Sequence, residues 1–247
     1  MSETSIREDG RAYDEIRPLK ITRNYLKWPE GSVLVEIGET KVIVTASVED
    51  SVPRFLKNSG KGWITAEYDM LPRATDRRRN RDRNRKIPGR SMEIQRLIGR
   101  SIRAAFDIDV IGEISIKIDA DVIQADGGTR CASIVGAFVA AYDGLQKAVE
   151  NGIILKMPSF SVISAISVGI VKGNNEIPIP MLDLPYIEDS QALVDMNIIS
   201  SEDGKFIEVQ GTAEGKNFSR DELNQLLDLA VKGNSEIIIY IKKLLNL

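Results

Sequence analysis

The apolar positions change period several times along the chain, and each change predicts an element. Over 32–37 (SVLVEI) they alternate, with Val33, Val35 and Ile37 on one face of a strand. Gly38-Glu39-Thr40 reads as a turn and 41–48 (KVIVTASV) as the return strand of a hairpin. Residues 62–71 (GWITAEYDML) read as another strand. Over 91–106 the period becomes helical. Ile94, Leu97, Ile98, Ile102 and Ala105 form an apolar stripe, with Glu93, Arg96, Arg100 and Arg103 off it, directly after Pro88-Gly89-Arg90. Alternation returns at 113–122, where Ile114, Ile116, Ile118, Ala120 and Val122 face one way. Gly127-Gly128-Thr129-Arg130 then opens a second helix, apolar nearly all round through Ala141, more polar to about Ala148, and ended by Asn151-Gly152. A helix with such an apolar body is buried against a sheet.

The second half repeats this loosely, with strands expected near 160–171, 176–184, 192–199 and 205–210, then helices. Ser219 and Glu222 form a capping box ahead of a Leu223, Leu226, Leu227, Ala230 stripe. Gly233 is expected to close that helix, and 235–247 to form a last one. No Pro-, Gly- or Ser-rich linker divides the chain. The reading is a single α+β domain over 1–247, a mixed β-sheet packed with α-helices.

Composition narrows the chemistry. With 247 residues, 43% apolar and 28% charged, the chain can bury a real core and is not wholly disordered. It has no window of the roughly 18 unbroken apolar residues that span a membrane. Its first residues, MSETSIREDGRAYDE, lack the apolar core of a signal peptide, so a cytoplasmic location is expected. Cys131 is the one cysteine, which suits a reducing compartment, and there is no histidine. Zinc sites of the Cys/His type and Ser–His–Asp or Cys–His triads are excluded. A metal here must be held by oxygen, which favours magnesium or calcium.

The net charge of −3 hides a basic stretch. Residues 73–90 carry nine Lys/Arg, eight of them Arg, against two Asp. A solvated charge run is the bland account. Forked arginines on an acidic body also suit a polyanion.

Three elements could carry chemistry. In QADGGTR (124–130) a strand runs through two glycines into a helix whose unpaired N–H groups suit phosphate, with the Thr129 hydroxyl and Arg130 as further donors. A plain glycine turn with a Thr cap fits the same residues. Arg90 is placed similarly before the first helix, where it could equally be a surface arginine. In YIEDSQALVDMN (186–197), Asp189 and Asp195 stand six apart, so they share a face in a strand and can still converge across a turn. Nearby Asp183 and Glu188 add negative charge, or all four are solvated acids. A carboxylate pair without histidine suits magnesium shared with substrate phosphates. Together these elements suit phosphoryl transfer on a nucleic acid, with inorganic phosphate as a nucleophile already ionised near neutral pH.

Several blocks in order, EGSVLVEIGETKVIVTAS (30–47), GWITAEYDMLPRAT (62–75), MEIQRLIGRSIRAA (92–105), DVIQADGGTR (121–130), EDSQALVDMN (188–197) and EVQGTAEG (208–215), resemble the bacterial ribonuclease PH family. That resemblance implies a ribonuclease PH fold and a phosphorolytic 3′→5′ exoribonuclease that trims tRNA precursors. Its products would be nucleoside diphosphates, and the reverse reaction would add nucleotides. It implies phosphate binding by Arg90, Gly128, Thr129 and Arg130, catalytic and magnesium-binding roles for Asp189 and Asp195, and RNA contacts by Arg73, Arg78 and Arg81. It further implies a homohexamer, a trimer of dimers. The alternatives are an exosome-core-type ring subunit active only with a partner, a non-catalytic RNA-binding ring protein, and a hydrolytic nuclease.

Overall fold

The computed structural model describes residues 7–81, 88–173, 177–214 and 217–247. Part of the arginine-rich stretch, 82–87, lies outside the described residues. In chain order the elements are β1 (Leu19–Arg23), β2 (Gly31–Ile37), β3 (Thr40–Glu49), β4 (Trp63–Met70), α1 (Gly89–Ala105), β5 (Ser115–Gln124) and α2 (Thr129–Glu150). Then follow β6 (Ile163–Lys172), β7 (Pro178–Leu182), α3 (Tyr186–Asp189), β8 (Val194–Ser201), β9 (Phe206–Ala213) and α4 (Arg220–Leu245).

The strands form two sheets rather than the one expected. The first has the order β1-β2-β3-β5-β4, antiparallel except for the parallel β4–β5 pair. Parallel neighbours need a crossover, and α1 supplies it. The second sheet, β7-β6-β8-β9, is antiparallel throughout. Alternation sorts the first sheet's faces: Val33, Val35, Val42, Val44, Ile116 and Ile118 are buried, while Glu67, Lys117 and Asp121 are exposed.

α2 packs on β2, β3 and β5 of one sheet and on β6 of the other. Apolar partners on both sides explain why it is buried all round from Cys131 to Leu145. One continuous core joins the two sheets through it.

Two local features differ from the expectation. β1 is not evident in the apolar pattern, and it closes the first sheet against β2. Gly233 does not end a helix, because α4 runs unbroken from the Ser219–Glu222 capping box to Leu245. A Cβ at 233 would lie 2.6 Å from Ile166 Cδ1 and 2.8 Å from Leu182 Cδ1, so the glycine is there for close packing on the second sheet. Among the described residues no helix is long and apolar enough to cross a membrane.

Candidate phosphate and carboxylate site

The turn from β5 into α2 is built around two glycines with left-handed backbone, Gly127 at φ +73° and Gly128 at +66°. A Cβ at Gly127 would meet the Leu184 carbonyl oxygen at 2.4 Å. The turn is clamped from three sides. Thr40 Oγ1 donates to the Gly127 carbonyl (2.7 Å) and accepts from the Asp126 N–H (2.9 Å). The Tyr186 N–H donates to Asp126 Oδ1 (3.2 Å). The Arg17 guanidinium donates to the Asp126 carbonyl and, at 2.7 and 2.9 Å, to the Asp183 carboxylate. The N-cap of α2 is Gly128, which has no side chain to cap it, so the N–H groups of the first turn suit water or an anion. α1 begins uncapped in the same way after Pro88.

Each helix carries an arginine at its second position, and the two are held differently. Arg130 donates to Gln210 Oε1 (2.7 Å) on β9 and approaches Glu93 on α1 (3.4 Å). Gln210 in turn donates to Glu93 (2.7 Å), so the three side chains form a closed set. Arg90 is exposed, and its side chain makes no hydrogen bond or ion pair with another described residue. Thr129 lies with its hydroxyl 3.0 Å from the buried Tyr68 hydroxyl. Burial pushes the Tyr68 pKa above its ordinary value, so that phenol keeps its proton.

The aspartates do not share a strand. Asp189 ends α3, and Asp195 is the second residue of β8 after a short turn. Asn197, two residues on along β8, donates to Asp195 Oδ2 at 3.5 Å, and the buried Cys131 thiol donates to Asn197 Oδ1 (3.3 Å). Asp195 Oδ1 is buried with no hydrogen-bond partner among the described residues. Desolvation, and next the charge of Asp189, push the Asp195 carboxyl up to about 6, against the opposing pull of Arg130 and Arg90. Burial also raises Asp189, again opposed by Arg90 and Arg130.

Asp183 and Glu188 are not part of this acidic group. Glu188 pairs with the buried Arg7. Asp183 is 3% exposed and bound by Arg17. Burial alone would raise the Asp183 carboxyl, but hydrogen bonds and charge from Arg17 hold it below the usual carboxylate range. Its left-handed backbone (φ +51°) persists because its N–H and both carboxylate oxygens are fixed.

A cavity of about 450 Å³ brings together Arg90, Gly128, Thr129, Arg130, Asp189 and Asp195. Arg73, Arg78 and Arg81 are exposed on the loop after β4 and do not line it, whereas their neighbour Arg79 does. Sequence reading misses Tyr68, Asn197, Gln210, Tyr186 and the Arg17–Asp183 pair. Their signal is weak, because each acts through a partner 61 to 166 residues away or through its placement at the cavity.

The donor set, two guanidiniums and helix N–H groups beside two carboxylates, suits an anion at one end. Among the described residues no group of three or more His, Cys, Asp or Glu is placed to hold a metal ion. A cation at Asp189 and Asp195 would therefore complete its shell from water or substrate oxygens, as magnesium commonly does. The unpartnered, buried Asp195 Oδ1 fits such a cation.

Two sequence models of a 3′ exoribonuclease family match the chain, domain 1 over residues 15–144 and domain 2 over 161–233. Solved structures similar in fold include the Archaeoglobus fulgidus exosome with RNA bound to the active site, at 22% identity and TM-score 0.80 over 96% of this chain and 93% of that one. An archaeal exosome core chain matches at 22% identity and TM-score 0.75 over 96% and 91%. Rice (Oryza sativa) Rrp46 matches at 18% identity and TM-score 0.72 over 96% and 98%.

Proposed function

Since the chain belongs to the 3′ exoribonuclease (RNase PH) family, we propose that it is a phosphorolytic enzyme. In this reading it removes 3′-terminal nucleotides of RNA, tRNA precursors among them, with inorganic phosphate in the cytoplasm. The observation that carries this reading is the cavity itself. Two arginines and an uncapped helix N-terminus face two carboxylates there, one with an unpartnered oxygen.

Arg90, Arg130, the Thr129 hydroxyl and the backbone N–H of Gly128 hold the phosphate and screen its charge from the diester it attacks. A phosphate oxygen bonds to the last internucleotide phosphorus. The bond from that phosphorus to the 3′-oxygen breaks, and the 3′-oxygen leaves with the electron pair and takes up the proton that the attacking hydrogen phosphate gives up. The products are a nucleoside 5′-diphosphate and an RNA shortened by one nucleotide. One phosphoester-type linkage replaces another, so excess diphosphate drives addition instead. Asp189 and Asp195 would hold magnesium, which supplies neutralisation of charge developing on the phosphoryl oxygens. Gln210 and Glu93 orient Arg130, and Tyr68 orients the Thr129 hydroxyl. Arg73, Arg78 and Arg81, exposed outside the cavity, contact the RNA backbone. The assembly in this reading is a homohexamer, a trimer of dimers.

The test is the product released from a 3′-labelled RNA with magnesium, with and without inorganic phosphate. Labelled nucleoside diphosphate appearing only with phosphate is the expected result. Monophosphate released without phosphate would mean hydrolysis and would remove the phosphate-site assignment. RNA bound but not cut would mean a ring subunit that needs a partner.

A further inference from the structure

The four residues of α3 divide between two cavities. Tyr186 and Asp189, three apart on one helical turn, line the cavity that holds Arg90, Thr129 and Arg130. Ile187 lines a separate cleft beside the N-terminal segment, and Glu188 is turned to Arg7. Tyr186 thus shares its side of the helix with Asp189, yet it is 63% exposed. Its ring takes no part in the aromatic pairs found among the described residues, and its hydroxyl has no hydrogen-bond partner among them.

The backbone beneath this ring is fixed. Its N–H is bound to Asp126 Oδ1, its carbonyl accepts from the Ser190 N–H (2.9 Å), and Gly127 is pressed against it. The same cavity is bounded by Met70 and Arg79, whose Nη1 lies 3.0 Å from the Met70 sulfur. A free aromatic ring, a thioether and a planar guanidinium all offer surface to a flat π-system.

We propose that Tyr186 is the stacking platform for the base of the 3′-terminal nucleotide. The inference rests on the exoribonuclease reading above. A terminal nucleotide presents a phosphate and a base. The first lies beside the inorganic phosphate that the arginines and the helix N-terminus hold, and Tyr186 takes the second. An enzyme that removes successive nucleotides must accept every base, and stacking is tolerant because every base has a π-face.

The experiment is a binding cycle in phosphate-free buffer with two short single-stranded RNAs, one ending in a normal nucleotide and one abasic at its 3′ end. Wild type should bind the abasic RNA roughly tenfold more weakly, about 1.4 kcal/mol. Tyr186→Ala should lose about the same factor on the normal RNA and nothing further on the abasic one, while Tyr186→Phe keeps most of the affinity. Losses that simply multiply, or an unchanged Tyr186→Ala, would overturn the proposal. Tyr186→Phe binding as weakly as Tyr186→Ala would make the hydroxyl rather than the ring the contact, and Tyr186→Ala raising the KM for phosphate as much as that for RNA would mean a structural role; either result overturns the proposal too. If the coupling is present but wild type releases monophosphates, the phosphorolytic reading fails and the platform stands. Wild type that binds neither RNA sinks both.

Discussion

Replacing Asp195 by Asn should stabilise the protein at pH 8 and leave it unchanged in acid. The folded-state carboxyl sits at about 6 against an ordinary 3.8, because burial and then Asp189 oppose its ionisation. The sign follows from linkage. A folded pKa above the unfolded one gives a contribution fully present below pH 3.8 and lost as pH rises through about 6. The shift of about two units corresponds to about 3 kcal/mol at 1.36 kcal/mol per unit, an upper figure. Asn copies the shape of the protonated acid at every pH, so it escapes that loss. For a chain of this length 3 kcal/mol is roughly 6–12 °C in Tm. The assay is chemical or thermal unfolding of both proteins from pH 4 to pH 8 with EDTA present. The stability gap should open between pH 4 and pH 7 and then stay level. A gap that does not change with pH, or a wild type more stable than the variant at pH 8, would refute the reasoning. If the phosphorolytic proposal holds, the same buried charge is the cost of keeping an oxygen free for the reaction, and the stabilised variant should be the inactive one.

Other outcomes can be checked with simpler measurements. Arg130→Ala should raise the KM for phosphate by roughly two orders of magnitude, the worth of one charge-assisted hydrogen bond to the anion, while RNA affinity stays within a few-fold. Equal losses in both would remove Arg130 from the phosphate site. Asp183→Ala removes the main carboxylate partner of the buried Arg17, and urea titration should show a loss of about 3–5 kcal/mol. Because the Asp183 carboxyl is held below its usual value, the wild-type advantage should be present at neutral pH and shrink as pH falls through that depressed pKa. Replacing Arg73, Arg78 and Arg81 together by Gln should flatten the salt dependence of single-stranded RNA binding by about 2 in the log–log slope, at about 0.7 for each phosphate no longer neutralised. An unchanged slope would place the RNA track elsewhere.

The periodic pattern is enough to locate most strands and the faces they bury. Val33, Val35 and Ile37, or Ile116 and Ile118, carry that information locally, because side chains alternate whatever lies above the sheet. α2 is equally legible, since an all-round apolar helix has to be enclosed. The glycine pair ahead of it is legible too, since two adjacent positive-φ positions before a helix suit glycine better than any other residue.

What the tertiary structure decided lies between segments far apart in sequence. Asp183, Glu188, Asp189 and Asp195 look alike as a string of acids. Only the arrival of Arg17 and Arg7 from the N-terminal segment neutralises the first two and leaves the last two facing Arg90 and Arg130. Gly233 reads as a helix stop until Ile166 and Leu182 are seen pressed against it. That the strands form two sheets with α2 between them could not be read either, because a strand's pattern names the face it buries and not the partner that covers it. Charge type and backbone preference belong to single residues and survive in the sequence. Ionisation state, side-chain orientation and the gathering of a site depend on dielectric and distance, and those exist only once the chain is folded.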